Sequence, residues 1–260
     1  MIVLMERLKD RIAIVTGSAQ GMGYAIAHAL AKEGAKVVIT DIKDDEIERA
    51  VAELKDNYDY VLGKRVDVTN KQQVKQMVCQ VIAEWAGIDI LVNNAGGALH
   101  TPYRLDEIEE KDWDLVVNVN LKGTFFCCQQ VIPVMVKNGR GTIINISALA
   151  AHWRASLAGV QYTAAKAGVE GLTRQLAYDW GQYGIRINAI APTVTITGGR
   201  VKSLWEGKGE EERERVLLQI PLRRLGTPNE IASTVVFLAS DESSYITGIT
   251  IDVSGGRYLR

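Results

Sequence analysis

A phenol and an ammonium group lie four residues apart in Tyr162-Thr163-Ala164-Ala165-Lys166. On the helix that this segment predicts, residues four apart share one face, so the two groups are neighbours. A free tyrosine titrates near pH ~10, and a nearby cation favours the phenolate, which predicts a lowered pKa for Tyr162. Such a phenol can give and take protons. For a pair of this kind standing alone, an ordinary surface Tyr and Lys on an amphipathic helix is the common alternative.

A glycine-rich turn near the start of the chain has the composition of a pyrophosphate site. The segment TGSAQGMG (16–23) lies between an apolar strand pattern and a helical pattern. Glycines allow close backbone approach, and a helix N-terminus presents free N–H groups and the positive end of its dipole. This context predicts dinucleotide binding. We expect the contacts to come from Gly17, Ser18, Gln20, Gly21, Met22 and Gly23.

Asp41 closes the next predicted strand, 24 residues after Gly17. An acid at this place can accept hydrogen bonds from the adenosine ribose of NAD, and its charge repels the 2′-phosphate of NADP. The glycine turn carries no Arg or Lys that would offset that phosphate, although Lys43 lies nearby. NAD is therefore predicted over NADP. The alternative for Asp41 is simple capping of the following helix.

The elements that must position these residues alternate along the chain. Nearly continuous apolar patterns, typical of parallel strands covered on both faces, run over 11–17, 36–41, 64–68, 88–94, 142–147, 185–191 and 249–256. Helical patterns run over 22–33, 44–56, 70–86, 109–137, 160–183 and 228–239. This rhythm predicts one α/β domain with a doubly wound Rossmann fold, in which a parallel sheet of about seven strands carries helices on both faces.

The composition excludes several classes of protein. The 260 residues carry 30 Lys and Arg against 31 Asp and Glu, so no basic field attracts a nucleic-acid backbone. No apolar run reaches the ~18 residues of a membrane span, and the opening MIVLMERLKD is too charged for a secretory signal. Neither the three cysteines nor the three histidines have metal-ligand spacing. We expect a cytoplasmic protein with a small-molecule partner, no nucleic acid, no membrane and no metal.

Four motifs in order resemble the short-chain dehydrogenase/reductase family over essentially the whole chain. They are the TGSAQGMG turn, the NNAG segment (93–96) after the fourth predicted strand, Ser147 at the end of the fifth, and Tyr162 with Lys166. Two further matches are Asn120 within VNVNLKG, with Asn118 as its competitor, and Ala191-Pro192 after the sixth strand.

The resemblance implies an oxidoreductase with direct hydride transfer to or from a nicotinamide. Tyr162 would be the general acid in carbonyl reduction and the base in alcohol oxidation, and Ser147 would polarise the substrate oxygen. Lys166 would hold the nicotinamide ribose and lower the pKa of Tyr162, while Asn120 would anchor a water that connects Lys166 to solvent. Further cofactor contacts implied beside Tyr162 and Lys166 are Ile42, Asp67, Val68, Asn94, Ala95, Gly96, Pro192, Thr193, Thr195 and Thr197.

Two departures from the family pattern lie on the substrate side. Ser147 and Tyr162 are 15 residues apart, two more than is common in the family, so the intervening loop is longer and substrate specificity stays open. Thr193 stands where the family usually has Gly, which alters how the backbone passes the nicotinamide. The segment at about 193–220 is predicted as a lid-like insertion, and its charged run EGKGEEERER (206–215) fits a solvated helix face equally.

The leading hypothesis is an NAD(H)-dependent oxidoreductase that interconverts a secondary alcohol, such as a small alcohol, sugar or polyol, and its ketone. The nucleotide-binding half is expected at about 8–100 and the catalytic half at about 101–260. One alternative is an NADPH-dependent 3-oxoacyl-[acyl-carrier-protein] reductase, which segments such as PLRRLGTPNEIASTVVFLAS resemble and against which Asp41 argues. Another is a catalytically silent nucleotide-sensing module. The resemblance also implies a homotetramer through the long helices, while the substrate stays open.

Overall fold

The computed structural model describes residues 6–155, 158–197 and 199–259. Four parts of the predicted features lie outside the described residues: the first five residues of the opening, Ser156 and Leu157 of the longer loop, Gly198 of the insertion, and Arg260. Within the described part, seven parallel strands form one sheet in the order β3-β2-β1-β4-β5-β6-β7. The strands are β1 (Ile12–Thr16), β2 (Lys36–Asp41), β3 (Val61–Arg65), β4 (Ile90–Asn93), β5 (Gly141–Ile146), β6 (Ile185–Pro192) and β7 (Thr250–Val253).

Helices connect the strands and cover both faces of the sheet, which confirms the predicted fold class. They are α1 (Gly21–Lys32), α2 (Asp44–Lys55), α3 (Lys71–Trp85), α4 (Glu110–Val117), α5 (Gly123–Asn138), α6 (Val160–Trp180), α7 (Gly199–Glu206), α8 (Glu210–Leu218) and α9 (Pro228–Ala239). One apolar core lies under α1, α2 and α9, and includes Leu30 and Val235. The other lies under α3, α5 and α6, and includes Val131.

Strand β1 lies at the point where the order of the sheet reverses. It pairs with β2 on one side and with β4 on the other, so Val15 lies opposite both Ile39 and Val92. All five residues of β1 are buried, which explains its continuous apolar pattern. In doubly wound sheets the crevice outside the carboxyl ends of the strands at such a reversal holds ligands. The glycine turn directly follows β1 at this crevice.

The third and last strands differ from their predicted bounds. Strand β3 ends at Arg65, before the predicted end at 68. There the Asp67 carboxylate accepts hydrogen bonds from the N–H and hydroxyl of Thr69 and turns the chain. Strand β7 ends sooner than predicted because Gly255 and Gly256 adopt φ of 62° and 82° and redirect the backbone.

The predicted long helix 109–137 is two helices, α4 and α5, joined by a π-helical turn at Asn118–Lys122. The Asn120 amide donates to the carbonyl of Val116 at 2.9 Å, and the Thr124 hydroxyl donates to the carbonyl of Asn120 at 2.8 Å. Side chains that take backbone carbonyls in this way compete with the regular helical ladder. Turns of this type are frequent at functional sites.

The insertion at 193–220 forms α7 and α8. The charged run lies mostly in α8, where all four of its acidic side chains are exposed, as the solvated-face interpretation indicates. Helix α7 contributes Val201 to the wall of the crevice. No helix within the described ranges is both long and apolar enough to cross a lipid bilayer.

Candidate active site

The turn after β1 depends on glycine because its backbone segments approach closely. A Cβ on Gly23 would lie 2.2 Å from the carbonyl oxygen of Gly17 and 2.5 Å from the Asn94 amide nitrogen. Gly17 itself adopts φ of 59°, and a Cβ there would lie 2.8 Å from Ala95 Cα. No side chain fits such distances without displacing backbone. The turn is therefore set by sterics rather than by side-chain contacts.

The Thr16 hydroxyl joins the glycine turn to the end of β4. Its Oγ1 accepts hydrogen bonds from the N–H groups of Asn94 and Ala95, both at 3.0 Å. In the other direction, the Asn94 amide donates to the carbonyls of Thr16 at 3.0 Å and Gly17 at 2.8 Å. Sequence reasoning assigned no role to Thr16. Its position one residue before the first glycine of the motif is the available signal.

The N-terminus of α1 fits a phosphate group. The first intrahelical bond runs from the N–H of Tyr24 to the carbonyl of Gln20 at 3.2 Å, so the N–H groups of Gly21, Met22 and Gly23 precede it. The first turn contains no acidic side chain, and Gln20 makes no side-chain cap. Unused donors at the positive end of a helix dipole are the features that favour a bound pyrophosphate.

Ser18 faces into the sheet. Its hydroxyl donates to the carbonyl of Val15 at 2.6 Å and accepts from the N–H of Thr40 at 3.0 Å, while its own N–H donates to the Thr40 carbonyl at 2.9 Å. Its donors are thus used inside the protein. Ser18 joins β1 to β2, and the cofactor contact that the sequence predicts for it stays a prediction.

Asp41 lies at the carboxyl end of β2, where its Oδ1 accepts a hydrogen bond from the N–H of Ile42 at 2.8 Å. The Ile42 side chain is 58% exposed beside it. Arg65 pairs with Asp41 across β2 and β3, and its Nε donates to the carbonyl of Ile42 at 3.3 Å. The sequence singles out Lys43 as the nearby cation, whereas the structure adds Arg65. Both signs of charge are therefore present at this end of the crevice.

Asp67 and Val68 follow β3 at the same edge of the sheet. The Asp67 carboxylate accepts the two hydrogen bonds from Thr69 described above. The backbone N–H of Asp67 donates to the Gln73 side chain at 2.8 Å. Val68 is buried against α5, where a Cβ on Gly123 would lie 2.7 Å from its side chain. The two residues thus have internal partners, and the cofactor contact that the resemblance implies for them stays a prediction.

The proposed proton-transfer residues share one cleft with part of the predicted cofactor set. The predicted residues that line it are Met22, Asn94, Gly96, Ser147, Tyr162, Lys166, Pro192, Thr193, Thr195 and Thr197. They come from the first turn of α1, the segments after β4 and β5, the first turns of α6, and the end of β6 with the segment after it. Carboxyl ends of parallel strands thus bring together residues that are far apart in the chain.

Burial dominates the electrostatics of the Tyr162 and Lys166 pair. The Lys166 Nζ donates to the carbonyl of Ile146 at 2.6 Å and lies 5.7 Å from the centroid of the Tyr162 ring. Burial raises the pKa of Tyr162 to about 12 and lowers the pKa of Lys166 to about 8. The predicted lowering of the Tyr162 pKa is therefore wrong for the protein alone, because loss of solvation outweighs the neighbouring cation.

Ser147 ends β5 and contacts a buried cluster that sequence reasoning missed. Its hydroxyl lies 3.1 Å from Glu170 Oε1 and 3.3 Å from the carbonyl oxygen of Lys166. His152 lies 3.0 Å from the same Glu170 oxygen through Nδ1 and 2.9 Å from Asp252 Oδ1 through Nε2. Glu170 follows Lys166 by four residues and so shares its helix face, which is the one available signal.

Asn120 is fully buried in the π-helical turn and holds the segment after β4. Its amide donates to the carbonyl of Gly97 and its Oδ1 accepts from the Gly97 N–H, both at 2.9 Å. Gly96 lies close to both Asn120 and Lys166, since a Cβ there would lie 2.4 Å from Asn120 Oδ1 and 3.6 Å from Lys166 Nζ. The two side chains thus both lie close to Gly96.

Two arginines also line the cleft, and sequence reasoning assigned neither of them to the substrate site. Arg154 comes from the longer loop and Arg257 from the segment after β7. Around them the cleft wall carries apolar side chains, among them Leu149, Val194 and Val201. The cleft is thus apolar on its substrate side, with cationic groups at one part of its wall.

Comparisons with known proteins show similarity to reductases and dehydrogenases over nearly the whole chain. A family model described as enoyl-(acyl carrier protein) reductase matches residues 17–257. The (2S)-[(R)-hydroxy(phenyl)methyl]succinyl-CoA dehydrogenase subunit BbsD of Thauera aromatica is 42% identical over 97% of this chain and 98% of its own. The 3-oxoacyl-[acyl-carrier-protein] reductase FabG of Thermotoga maritima is 39% identical over 96% and 98%. The crystal structure of gox2181 superposes with a TM-score of 0.90 at 34% identity, covering 98% of this chain and 99% of its own.

Proposed function

Because the chain belongs to the short-chain dehydrogenase/reductase family and is an oxidoreductase, we propose that it interconverts a secondary alcohol and its ketone with NAD(H). The observation that carries this proposal is the convergence of Ser147, Tyr162 and Lys166 on one cleft beside the glycine turn. A phenol, a hydroxyl and a buried ammonium group at the carboxyl ends of the strands form a set suited to proton transfer at a carbonyl oxygen.

In the proposed reaction the chain handles the proton and the carbonyl oxygen. At neutral pH a phenol with a pKa of about 12 is protonated, so the protein by itself favours Tyr162 as a proton donor to a carbonyl. Ser147 would hold the carbonyl oxygen near that phenol, with Glu170 fixing the position of the Ser147 hydroxyl. A nicotinamide, when bound, supplies or accepts the hydride. Lys166, as a cation, would favour the phenolate in the reverse direction.

The glycine turn and α1 would hold the pyrophosphate of the cofactor. Unused N–H groups at the α1 N-terminus and the close approach of Gly17 and Gly23 support this role. Asp41 supports NAD over NADP, because a carboxylate accepts ribose hydroxyl hydrogen bonds and repels a 2′-phosphate. Asn120, through the Gly97 backbone, would fix the loop beside Lys166. No metal is part of the proposed chemistry.

A second candidate is an NADPH-dependent 3-oxoacyl-[acyl-carrier-protein] reductase. Arg65 favours it, because the register of β2 and β3 pairs Arg65 with Asp41, where a 2′-phosphate would need a cation. The FabG relatives are named 3-oxoacyl-[acyl-carrier-protein] reductases. The BbsD relative, by contrast, is named for a hydroxyl-bearing coenzyme A ester. The BbsD name is that of a dehydrogenase of a hydroxy compound, and the FabG name is that of a reductase of an oxo compound.

Titration of the purified protein with NADH and with NADPH is the first test. Next, NADH oxidation is followed with small ketones, ketosugars and a 3-oxoacyl thioester. Tighter NADH binding with turnover of ketones supports the proposal, whereas NADPH preference with thioester turnover supports the second candidate. Binding without turnover of any carbonyl compound contradicts both and supports a nucleotide-sensing module.

We also propose a homotetramer in the cytoplasm. Exposed apolar side chains on the helices that would form its interfaces support assembly: Trp113 and Leu115 on α4, Phe125 on α5, and Tyr178 on α6. Size-exclusion chromatography with light scattering tests the proposal. A mass of four chains supports it, and a monomer at micromolar concentration contradicts it.

A further inference from the structure

Arg154 and Arg257 flank one aromatic ring in the wall of the cleft. The guanidinium carbon of Arg154 lies 4.9 Å from the centroid of the Trp153 ring, and that of Arg257 lies 5.4 Å from it. Arginine stacks on aromatic faces at such distances, which fixes the orientation of its planar head. Both arginines line the same cleft as Tyr162 and Ser147.

Hydrogen bonds from two other segments hold Arg257 in place. Its Nη1 donates to the Thr193 hydroxyl at 3.3 Å and its Nη2 donates to the Gln219 side chain at 3.1 Å. Thr193 follows β6, and Gln219 directly follows α8 of the insertion. The guanidinium is therefore positioned before any ligand arrives, and positioning of this kind reduces the entropy lost on binding.

Neither guanidinium has an anionic partner among residues 6–155, 158–197 and 199–259. Arg257 uses two of the five N–H donors of a guanidinium in hydrogen bonds to neutral oxygens, and its Nε is buried with no hydrogen-bond partner. Burial and the positive charge of Arg154 lower the pKa of Arg257. Two like charges near each other in a partly desolvated site are costly unless an anion compensates them.

The two departures from the family pattern meet at this pair. The loop that is longer by two residues carries Trp153 and Arg154. Thr193, which stands where the family usually has Gly, supplies the hydroxyl that accepts from Arg257. The charge pair is thus a product of the features that set this chain apart, on the side of the cleft where substrates are selected.

We propose that Arg257, with Arg154, binds a carboxylate of the substrate, so that the enzyme acts on keto acids or hydroxy acids whose acid group is remote from the reacting carbon. The planar guanidinium matches a carboxylate in a bidentate arrangement. Leu149, Val194 and Val201 form an apolar wall for the carbon chain between the two groups. This inference rests on the proposed function and narrows its substrate class.

The test compares matched acids and esters. NADH-dependent reduction is measured for 4-oxopentanoate, 5-oxohexanoate and 6-oxoheptanoate and for the methyl ester of each, at pH 7. We expect kcat/KM of the preferred acid to exceed that of its ester by about tenfold or more, because the ester cannot form the charged hydrogen bonds. Arg257→Gln should lower kcat/KM for the acid by about tenfold and leave that for the ester within about threefold.

Further variants separate substrate binding from folding. Arg257→Lys should retain part of the acid preference, and Arg154→Gln, which changes an exposed side chain, should lose a smaller part of it. Arg49→Gln, on the exposed face of α2, is the matched control and should change neither rate. Thermal unfolding of each variant shows whether Arg257→Gln is folded. The proposal is overturned if ester and acid are equal at every chain length, or if the acid preference persists in Arg257→Gln.

Failure of the inference and failure of the proposed function give different results. If the protein reduces uncharged ketones or thioesters but none of the oxo acids, the inference is overturned and the proposed function stands. If it reduces no carbonyl compound, the proposed function fails. Calorimetric titration of the oxo acids and esters into protein with NADH then decides the inference without turnover, since acid-selective binding that Arg257→Gln removes supports it and its absence overturns it.

Discussion

The nucleotide end and the substrate end of the crevice are built in different ways. At the nucleotide end, the positions of Gly17 and Gly23 are dictated by backbone atoms closer than 3 Å to where a Cβ would lie. At the substrate end, the wall is made of side chains from the longer loop, the end of β6, the insertion and the segment after β7. A site set by backbone sterics tolerates few residue types, whereas a site made of side chains can change its selectivity without changing the fold.

The largest effect should come from Tyr162, at the boundary of the two regions. Tyr162→Phe removes the proton donor and leaves the ring, so kcat should fall by about 10³-fold while the Kd for NADH changes by less than about threefold. Stopped-flow reduction assays and fluorescence titration measure the two quantities. Retained turnover would contradict the proton-transfer role. A parallel loss of NADH binding would show that Tyr162 serves both the nucleotide end and the substrate end of the crevice.

Lys166, which lies beside Tyr162, should make the free energy of unfolding depend on pH. Its pKa of about 8 in the folded protein lies below the ordinary 10.5, so between these pH values the unfolded chain binds a proton that the folded chain lacks. The free energy of unfolding should therefore rise with pH across this window, by about 3 kcal/mol in total from Lys166. Below pH ~8 the cost of burying the charged lysine is fully present.

Urea unfolding of the protein without cofactor is measured at pH 7.5 and pH 10. Burial also raises the pKa of the Cys127 and Cys128 thiols, which lowers stability toward pH 10 in every variant, so the contribution of Lys166 is the difference between the parent and Lys166→Met. Lys75→Met, which removes an exposed lysine on α3, should keep the pH dependence of the parent. The opposite shift of Tyr162, to a pKa of about 12, costs stability only above pH ~10 and so leaves the chosen window undisturbed. Equal changes of stability between the two pH values in all three proteins would contradict the lowered pKa of the buried Lys166.

Gly23→Ala tests the nucleotide end directly. A Cβ at 2.2 Å from the Gly17 carbonyl oxygen forces the turn to move, and we expect NADH affinity to fall by about 30-fold, or about 2 kcal/mol. Gly181→Ala is the control, since nothing lies within 4 Å of its added Cβ. Isothermal titration of both variants measures the difference. Unchanged affinity in Gly23→Ala would mean that the cofactor lies elsewhere.

Asp41→Asn should have the smallest effect of the series. Loss of the charge should weaken NADH binding by about tenfold and weaken NADPH binding less, so that the preference for NADH narrows. Arg65→Gln sharpens this test, because it should weaken NADPH binding only. If Asp41→Asn leaves the preference for NADH over NADPH unchanged, the Asp41 carboxylate does not bind the adenosine ribose.

The same contrast explains what could be predicted from the sequence. Strand patterns and the glycine turn are local, since each depends on residues within a few positions of one another. The interruption at Asn118–Lys122 could not be predicted, because the apolar periodicity of 109–137 continues through it while Asn120 binds Gly97, 23 residues away. Arg257 and Thr193 lie 64 residues apart, so only the folded chain brings them together. Glu170, by contrast, lies four residues after Lys166, so the helical spacing alone could have predicted that the two residues share a helix face.

The hydrogen bonds between Thr16 and Asn94 have a consequence for the chain during its synthesis. Asn94 follows Thr16 by 78 residues. At about 5–20 residues per second, ribosomes take roughly 4–16 s to synthesise that interval. During this time the glycine turn exists without the hydrogen bonds that close it, and a nascent chain that ends before β4 should be unable to retain a nucleotide. Capture of the cofactor during translation must therefore wait for the fourth strand.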